Sequence, residues 1–279
     1  MAVDLHTHSE KSDGTDSPAE LIRLANEAGL SAIALTDHDT LSGVEEARAA
    51  AGSVGPRLVA GVELSVDHAN VKIHLLAYFL EPGAGPLQDR LTELREGRRR
   101  RNVEIVARLQ DLGYDIEEAD VAAQTAGEAV GRPHIADALV AKGLITSRAE
   151  AFDGLLSDGG AAYVQRPRLS AREAIQLATA SGAVTSIAHP YTIDMNATTY
   201  PALFEELGDA GLTGLEAFYP EHSPSLREHL AALATELGLV ATGGSDYHGA
   251  GKPGLKVGTG RGDLVVPDTA LSDLEERRG

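Results

Sequence analysis

The sequence of 279 residues contains no cysteine and no tryptophan, and aromatic residues make up only 4% of it. Without cysteine, the chain has no disulfide framework, no thiolate metal ligand and no cysteine nucleophile. It also has no apolar run that approaches the roughly 18–20 residues of a membrane helix. The first residues, MAVDLHTHSE, lack the basic segment and apolar core of a secretion signal. We therefore expect a cytoplasmic protein with no membrane partner.

Basic residues are scarce in this chain. Lys and Arg number 24 against 42 Asp and Glu, which gives a formal net charge of −18. A field of this sign repels nucleic acid over long range, so duplex nucleic acid is not an expected partner. A small phosphorylated substrate is compatible with this charge where metal ions, Arg or Lys lie close to the site.

Short apolar runs alternate with helical patterns in the first 80 residues and again after residue 165. Strands are predicted at 3–6, 32–36, 58–65, 71–79, 183–189, 214–219 and 239–246. Ser17 and Pro18 are a typical helix start, and residues 82–165 carry helical periodicity with almost no strand signal. We predict an α/β barrel of parallel βα units, organised as a first part (1–81), a helical insertion (82–165) and a second part (166–279).

Histidines and carboxylates cluster at the predicted strand ends. His6 and His8 end the first strand as H-x-H, where residues i and i+2 point to the same face. Asp246 and His248 repeat this spacing at the end of the last strand. The carboxyl ends of barrel strands converge on one mouth, where active sites form. Nine side chains are therefore candidate metal ligands: His6, His8, Asp13, His38, Glu63, His74, His189, Asp246 and His248.

Nine imidazole and carboxylate donors exceed what a single ion can use, so we expect two or three divalent ions with Glu63 as the bridging ligand. These donor types suit Zn, Mn or Fe and disfavour copper(I) or iron–sulfur clusters. Clustered divalent ions lower the pKa of a bound water and neutralise charge on the attacking and leaving oxygens of a phosphate ester. The expected nucleophile is therefore a metal-bridging hydroxide rather than a side chain.

Five motifs in this order resemble those of the PHP (polymerase and histidinol phosphatase) family of metal-dependent phosphoesterases. They are D-L-H-T-H-S with Asp13, T-D-H-D-T, the Glu63 strand, A-H-P and G-S-D-Y-H, and the resemblance covers about residues 3–80 and 165–249. It implies a distorted (β/α)7 barrel of the TIM type and a three-metal site. By this resemblance the ions would be held by His6, His8, Glu63 and Asp246, by Asp13, His38 and His248, and by Glu63, His74 and His189.

The helical insertion resembles that of one branch of the family, the bacterial nucleoside 3′,5′-bisphosphate phosphatases and the related cyclic-phosphate hydrolases. The similarity lies in G-R-P-H-I-A (131–136) and A-Y-V (162–164). It implies a cap over the metal site, in which Arg132 and His134 match the branch motif. The chain departs from some relatives in F-D-G-L-L (152–156), where Asp153 and Gly154 stand and a Lys is missing.

The candidate substrate contacts near the cap are Arg132, His134, Lys142, Arg166 and Arg168. Arg is favoured because its fork matches two phosphate oxygens. His134 and His222 are the candidate general acids, since an imidazole can carry a transferable proton near neutral pH. Asp37 and Asp39 are expected to contact the metal ligands, rather than the metal ions, and to orient those ligands. The basic run Arg98–Arg101 is interpreted as a solvated helix face.

The leading predicted function is removal of the 3′-phosphate from a nucleoside 3′,5′-bisphosphate. The alternative substrates are a cyclic phosphodiester and a short oligoribonucleotide degraded from its 5′ end. Of these, the absence of the Lys slightly favours the cyclic ester. Two rivals come from other classes: a PHP module that binds metal structurally, and an amidohydrolase. The amidohydrolases of related barrels commonly need a carboxylated Lys, and no Lys stands at a suitable predicted strand end.

Overall fold

The computed structural model describes residues 2–69, 71–125, 127, 129–165, 168–193 and 200–278. Within these residues one sheet forms, with strands β1 (Ala2–Asp4), β2 (Ala32–Leu35), β3 (Arg57–His68), β4 (Val71–Tyr78), β5 (Leu169–Ser170), β6 (Val184–Ile187), β7 (Gly214–Phe218), β8 (Val240–Gly243) and β9 (Val266–Pro267). The strand order is β8-β7-β6-β4-β3-β2-β1-β9, and β5 pairs with β3.

The sheet closes on itself just beyond the ends of β1 and β8. The N–H of His8 donates to the Tyr247 carbonyl (2.9 Å), and the N–H of Asp246 donates to the His6 carbonyl (2.8 Å). Gly244 permits this approach, because a Cβ there would lie 2.4 Å from the backbone nitrogen of His6. The closure produces a distorted α/β barrel and confirms the predicted fold class.

One long strand runs against the others. β4 is antiparallel to both of its neighbours, β3 and β6, with His74 opposite Ser65 of β3. The prediction of parallel βα units was wrong here, because the two residues between His68 and Val71 cannot hold the crossover that a parallel pair requires. As a result, the amino-terminal half of β4 lies at the barrel mouth, together with the carboxyl ends of the parallel strands.

The barrel interior below the mouth is mainly apolar, with a buried hydroxyl pair between Ser186 and Thr242. His74, Leu76 and Tyr78 share one face of β4, and Val59 and Glu63 share one face of β3. Leu76, Tyr78 and Val59 belong to one buried apolar cluster. The polar side chains therefore lie at one end of a packed barrel, whose wall holds their backbone in place.

The helices are α1 (Pro18–Glu27), α2 (Val44–Ala51), α3 (Pro86–Asp111), α4 (Glu118–Ala122), α5 (Arg132–Ala141), α6 (Arg148–Glu150), α7 (Ala171–Ala180), α8 (Tyr200–Asp209), α9 (Pro224–Glu236) and α10 (Thr269–Glu276). The predicted start of α1 is confirmed, because the Ser17 hydroxyl accepts the N–H of Glu20 at 3.1 Å. Leu21 and Ile22 of α1 pack against Ile33 on the outer side of the barrel. None of the helices in the described residues is long and apolar enough to cross a membrane.

Helices α3 to α6 form the cap that the sequence predicts between two barrel strands. Leu91 in the first half of α3 packs in the same cluster as the barrel residues. Ile105 and Leu109 in its second half pack with Ile135 and other cap residues in a separate core. The change from barrel core to cap core thus falls inside α3, and the division into 1–81, 82–165 and 166–279 stays a prediction.

Candidate metal centre

The structure brings all nine predicted ligands together at the barrel mouth. His6 and His8 follow β1, His38 follows β2, and His189 follows β6. Their ligand atoms form three groups, within each of which all atoms lie within 4.8 Å of one another. The groups are His8, Asp13, His38 and His248; His6, His8, Glu63 and Asp246; and Glu63, His74 and His189. Apart from the additional His8 in the first group, these are the sets that the resemblance to the PHP family implies.

Glu63 stands between the groups. Its Oε1 atom lies 2.7 Å from His74 Nδ1 and 3.0 Å from His189 Nε2. Its Oε2 atom lies 3.0 Å from His8 Nε2 and 3.3 Å from His6 Nε2. Because the two oxygens face different sets of imidazoles, this carboxylate has the geometry of a bridging ligand.

Asp13 lies among the three histidines of its group, His8, His38 and His248. Its Oδ1 atom lies 3.3 Å from His248 Nε2 and 3.8 Å from His8 Nδ1. Its Oδ2 atom lies 3.7 Å from His38 Nε2. The separations of 3.7 and 3.8 Å exceed hydrogen-bond length, so the carboxylate leaves space between itself and the rings of His38 and His8.

Glu216 of β7 orients two of the histidines from behind. Its Oε1 atom accepts from His6 Nδ1 at 3.0 Å, and its Oε2 atom accepts the backbone N–H of His189 at 2.6 Å. With its Nδ1 proton committed to Glu216, His6 turns the lone pair of Nε2 towards the centre. The sequence analysis missed Glu216, although a Glu inside the buried run GLEAF was a usable signal.

Burial and the neighbouring charges shift the pKa values of two adjacent imidazoles in opposite directions. Burial, aided by the neighbouring His248, lowers the pKa of His8 to about 3, so this ring is neutral. Burial also opposes the charged form of His6, but Glu216 and Asp246 outweigh it and raise the pKa of His6 well above its ordinary value.

The residues present fit divalent metal ions. The Nδ1 atoms of His8 and His38 are buried and have no hydrogen-bond partner among the described residues. Imidazole and carboxylate are the donors that Zn, Mn and Fe prefer. Asp39, His189 and Asp246 have φ values of 56°, 27° and 49°, and such strained backbone is typical of functional sites.

Asp37 supports the loop that carries Asp13. It accepts hydrogen bonds from the hydroxyls of Ser9 (2.6 Å) and Ser12 (2.5 Å). Burial raises the pKa of Asp37 to about 6 in spite of these two donors. Its contacts therefore run to the serines that flank the ligand loop rather than to a histidine.

The cap is attached to the loops that carry the ligands. The N–H of Ala129 donates to the carbonyl of Lys11, in the loop between β1 and α1, at 3.4 Å. Arg148 donates to the carbonyl of Gly251, in the turn that follows His248, at 3.3 Å. The cap and the metal groups are thus positioned by the same loops.

Arg98 makes the strongest of these attachments, which the sequence analysis did not anticipate. Its Nε and Nη2 atoms donate to Oδ2 of Asp39 at 3.1 and 2.5 Å, and the Arg98 side chain is only 10% exposed. The interpretation of Arg98–Arg101 as a solvated face was wrong for Arg98 and Arg101, which are buried. The two lie one and two turns beyond Leu94 on the inner face of α3.

We expect the Arg98→Ala variant to lower the free energy of unfolding by about 3 kcal/mol, because it leaves the Asp39 carboxylate buried without its main cation. Urea unfolding followed by circular dichroism measures the change. Arg99→Ala is the matched control, since Arg99 is the next residue of the same helix and is exposed. Equal losses in the two variants would contradict a structural role for the Arg98–Asp39 pair.

The two candidate acids have opposite tautomers. His134 Nδ1 accepts the N–H of Gly131 at 2.9 Å, so the proton of the neutral ring lies on Nε2. His222 Nδ1 faces the Ala217 carbonyl at 2.9 Å and must donate to it, which leaves Nε2 without a proton. Burial lowers the pKa of both rings. His134 therefore presents a donor, and His222 does not.

The candidate substrate-binding cations have different partners in the structure. Arg132 donates to the carbonyl of Leu156 at 2.8 Å and pairs with Asp158, and Arg168 pairs with Asp67. Lys142 lies at the other end of α5 from Arg132, and its ammonium pairs with Asp120 at 3.0 Å in the cap. Arg166 lies outside the described residues.

Two further residues at the centre were missed by the sequence analysis. The Tyr219 hydroxyl donates to Oδ2 of Asp246 at 2.7 Å, and Lys252 forms an ion pair with the same oxygen. Tyr219 ends the predicted strand 214–219, which was a usable signal. Lys252 lies in a stretch rich in Gly and Pro, and no pattern marks it.

A barrel with three imidazole–carboxylate groups at its mouth and a cap attached to the ligand loops defines a metal-dependent hydrolase. The PHP domain model matches residues 4–139 of the chain. Together with the relatives described next, this match shows that the chain belongs to the PHP family, and it is a metal-dependent phosphoesterase of that family.

Three relatives are similar along most of the chain. The 3′,5′-nucleoside bisphosphate phosphatase of Chromobacterium violaceum is 33% identical over 92% of this chain and 90% of its own. The 5′-3′ exoribonuclease of Haemophilus influenzae is 33% identical over 88% and 89%. The phosphoribosyl 1,2-cyclic phosphate 1,2-diphosphodiesterase of Eggerthella lenta is 30% identical over 89% and 95%.

A solved structure shares the fold. It belongs to a Bifidobacterium adolescentis protein provisionally assigned as a metal-dependent phosphoesterase, which is 32% identical and superposes with a TM-score of 0.87. The match covers 99% of this chain and 96% of that one. The barrel and its cap therefore recur together in a related protein.

Proposed function

We propose that this chain removes the 3′-phosphate from a nucleoside 3′,5′-bisphosphate. The observation that carries the proposal is the position of Glu63, with each oxygen facing a different set of imidazoles, beneath a cap that contributes Arg132 and His134. The similarity to a bisphosphate phosphatase over 92% of the chain supports this choice of substrate.

The three groups would hold two or three divalent ions, Mn, Fe or Zn, with Glu63 shared between them. Ions held there would polarise the phosphoryl oxygens and acidify a water. Glu216 fixes the orientation of His6, and Asp37 fixes the loop of Asp13 through Ser9 and Ser12. The protein thereby fixes its ligands before substrate binds, which avoids reorganisation during the reaction.

His134 is the better candidate to contact the leaving oxygen, because its Nε2–H can donate a hydrogen bond to that oxygen while Nδ1 is held by the N–H of Gly131. Burial lowers the pKa of this ring, and the charges of Asp13 and Asp137 act against that shift. His222 is better suited to packing against Tyr219, whose ring lies 5.3 Å from it. Arg132 would contact a phosphate oxygen.

Two other substrates use the same centre, a cyclic phosphodiester and a short oligoribonucleotide degraded from its 5′ end. Relatives named for these activities are 30% and 33% identical to this chain. The missing Lys of segment 152–156 favours the cyclic ester, because one phosphate cation of the cap is absent there. The cytoplasmic location, the exclusion of duplex nucleic acid and the non-catalytic alternative stay predictions, and no oligomeric state is assigned.

A substrate panel tests the proposal. The metal-replete protein is given nucleoside monophosphates, 3′,5′-bisphosphates, cyclic phosphates and 5′-phosphorylated dinucleotides, and kcat/KM is measured for each. We expect the highest value for the 3′,5′-bisphosphate, with a nucleoside 5′-monophosphate as the product. A higher kcat/KM for a cyclic ester or a dinucleotide would contradict the substrate, and absence of any hydrolysis would favour a structural metal-binding module.

A further inference from the structure

Three cationic side chains meet beside the metal groups. Lys72 comes from β4, Arg132 from the start of α5, and Arg168 from the residue before β5. Lys72 and Arg132 both contact Asp158, and Arg168 donates to Asp67 at 2.8 Å. Asp67 is itself the cross-strand partner of Lys72 in the register of β3 and β4. Barrel and cap thus supply cations to one place.

The cluster lies next to the metal centre. Lys72 and His74 are two residues apart on β4, so their side chains point to the same face about 7 Å apart along the strand. His74 contacts Glu63 at 2.7 Å, which fixes the direction of that face. Lys72 therefore extends from the rim of the mouth towards the cap.

Asp158 links two of the cations. One carboxylate oxygen lies 3.3 Å from Arg132 Nη1, and the other forms an ion pair with Lys72. The centre of the Tyr163 ring lies 5.6 Å from the Lys72 ammonium and 5.7 Å from the Arg132 guanidinium, so both cations also contact one aromatic ring. A carboxylate that divides its oxygens between two cations imitates the contacts of a phosphate group.

The positive charges of the three side chains repel one another. Burial lowers the pKa of Lys72, and the charges of Arg168 and Arg132 lower it further. Burial likewise lowers the pKa of Arg132, with Arg168 and Arg98 acting in the same direction. Such crowding of like charges costs stability, and a bound anion relieves it. The Nε atom of Arg168 is buried and has no hydrogen-bond partner among the described residues.

We propose that Lys72, Arg132 and Arg168 form a second anion subsite, which binds the substrate phosphate that is not hydrolysed, and that Asp158 occupies this subsite until such a phosphate replaces it. The proposal rests on the proposed function, because only a substrate with two phosphates fills both places. Lys72 supplies a cation from the barrel, while the cap segment 152–156 contains no Lys or Arg.

Two variants with opposite expected effects test the subsite. Selectivity is the ratio of kcat/KM for a nucleoside 3′,5′-bisphosphate to kcat/KM for the nucleoside 3′-monophosphate. We expect Lys72→Met to lower this ratio about tenfold or more, because a charge-assisted contact is lost. We expect Asp158→Asn to raise it about threefold, because an internal competitor is removed. Lys256→Met and Asp273→Asn are the matched controls, since both residues are exposed and distant in sequence.

A binding measurement makes the test independent of turnover. Calorimetry gives the Kd of a nucleoside 5′-monophosphate and of inorganic phosphate for each folded variant. The subsite predicts weaker nucleotide binding in Lys72→Met and tighter binding in Asp158→Asn. Unchanged nucleotide Kd values together with an unchanged ratio would overturn it, as would effects confined to inorganic phosphate. If no ester is hydrolysed, the proposed function fails, and the nucleotide Kd values still decide the subsite.

Discussion

Glu63→Gln should lower turnover about a thousandfold, because the loss of a bridging carboxylate removes several kcal/mol of charge stabilisation at the reacting phosphate. Each oxygen of Glu63 contacts imidazoles of a different set, so no other carboxylate among the described residues takes the same position. The Gln side chain keeps the size and hydrogen-bonding capacity of Glu but not its charge. Initial rates on the best ester of the substrate panel measure the effect.

Glu236→Gln is the matched control for this variant, since Glu236 is exposed near the end of α9. Circular dichroism of both variants confirms folding before the rates are compared. Turnover of Glu63→Gln within tenfold of the unaltered protein would contradict the bridging role, and the three groups would then have to act separately.

His6→Ala combined with His8→Ala should abolish measurable turnover and reduce the bound metal by at least one ion per chain. Both imidazoles belong to the group that includes Asp246, and His8 also belongs to the Asp13 group. Removal of the two rings leaves these carboxylates without the neutral nitrogen donors that divalent ions prefer. Metal content by elemental analysis, together with rate measurements, tests the expectation.

The control for the double variant is His68→Ala combined with His229→Ala. His229 is exposed on α9, and His68 pairs with Glu206 at 3.3 Å, so neither belongs to the three groups. This control should keep both metal and turnover. Full metal content in the His6 and His8 variant would show that the ions bind elsewhere.

Most of the metal centre could be predicted from the sequence because strand geometry is local. Side chains alternate along a β-strand, so His6 and His8 lie on the same face. The barrel then brings His38 and Asp246 to the same mouth. His74 was a candidate although it lies in mid-strand, and the antiparallel direction of β4 is what places it at the mouth. Glu216 stands alone in a buried strand, so no spacing marks it.

The contacts between cap and barrel could not be predicted, because they depend on how distant segments dock. Arg98 and Asp39 are 59 residues apart in the sequence, and Lys72 and Asp158 are farther apart still. The helical period of α3 places Arg98 on the same face as Leu94, and this position predicts that Arg98 is buried. It does not predict that Asp39 is the residue with which Arg98 pairs. Arg132 matches the branch motif and Lys142 does not, but only the docked structure shows that Lys142 pairs with Asp120 within the cap.

The central claim is that the three groups hold a cluster of divalent ions. Anomalous diffraction from crystals of the metal-loaded protein tests this most directly. We predict anomalous peaks within ligand distance of at least two groups, with Glu63 between them. Peaks at other places, or a mouth without metal in a protein that still hydrolyses its ester, would contradict the account.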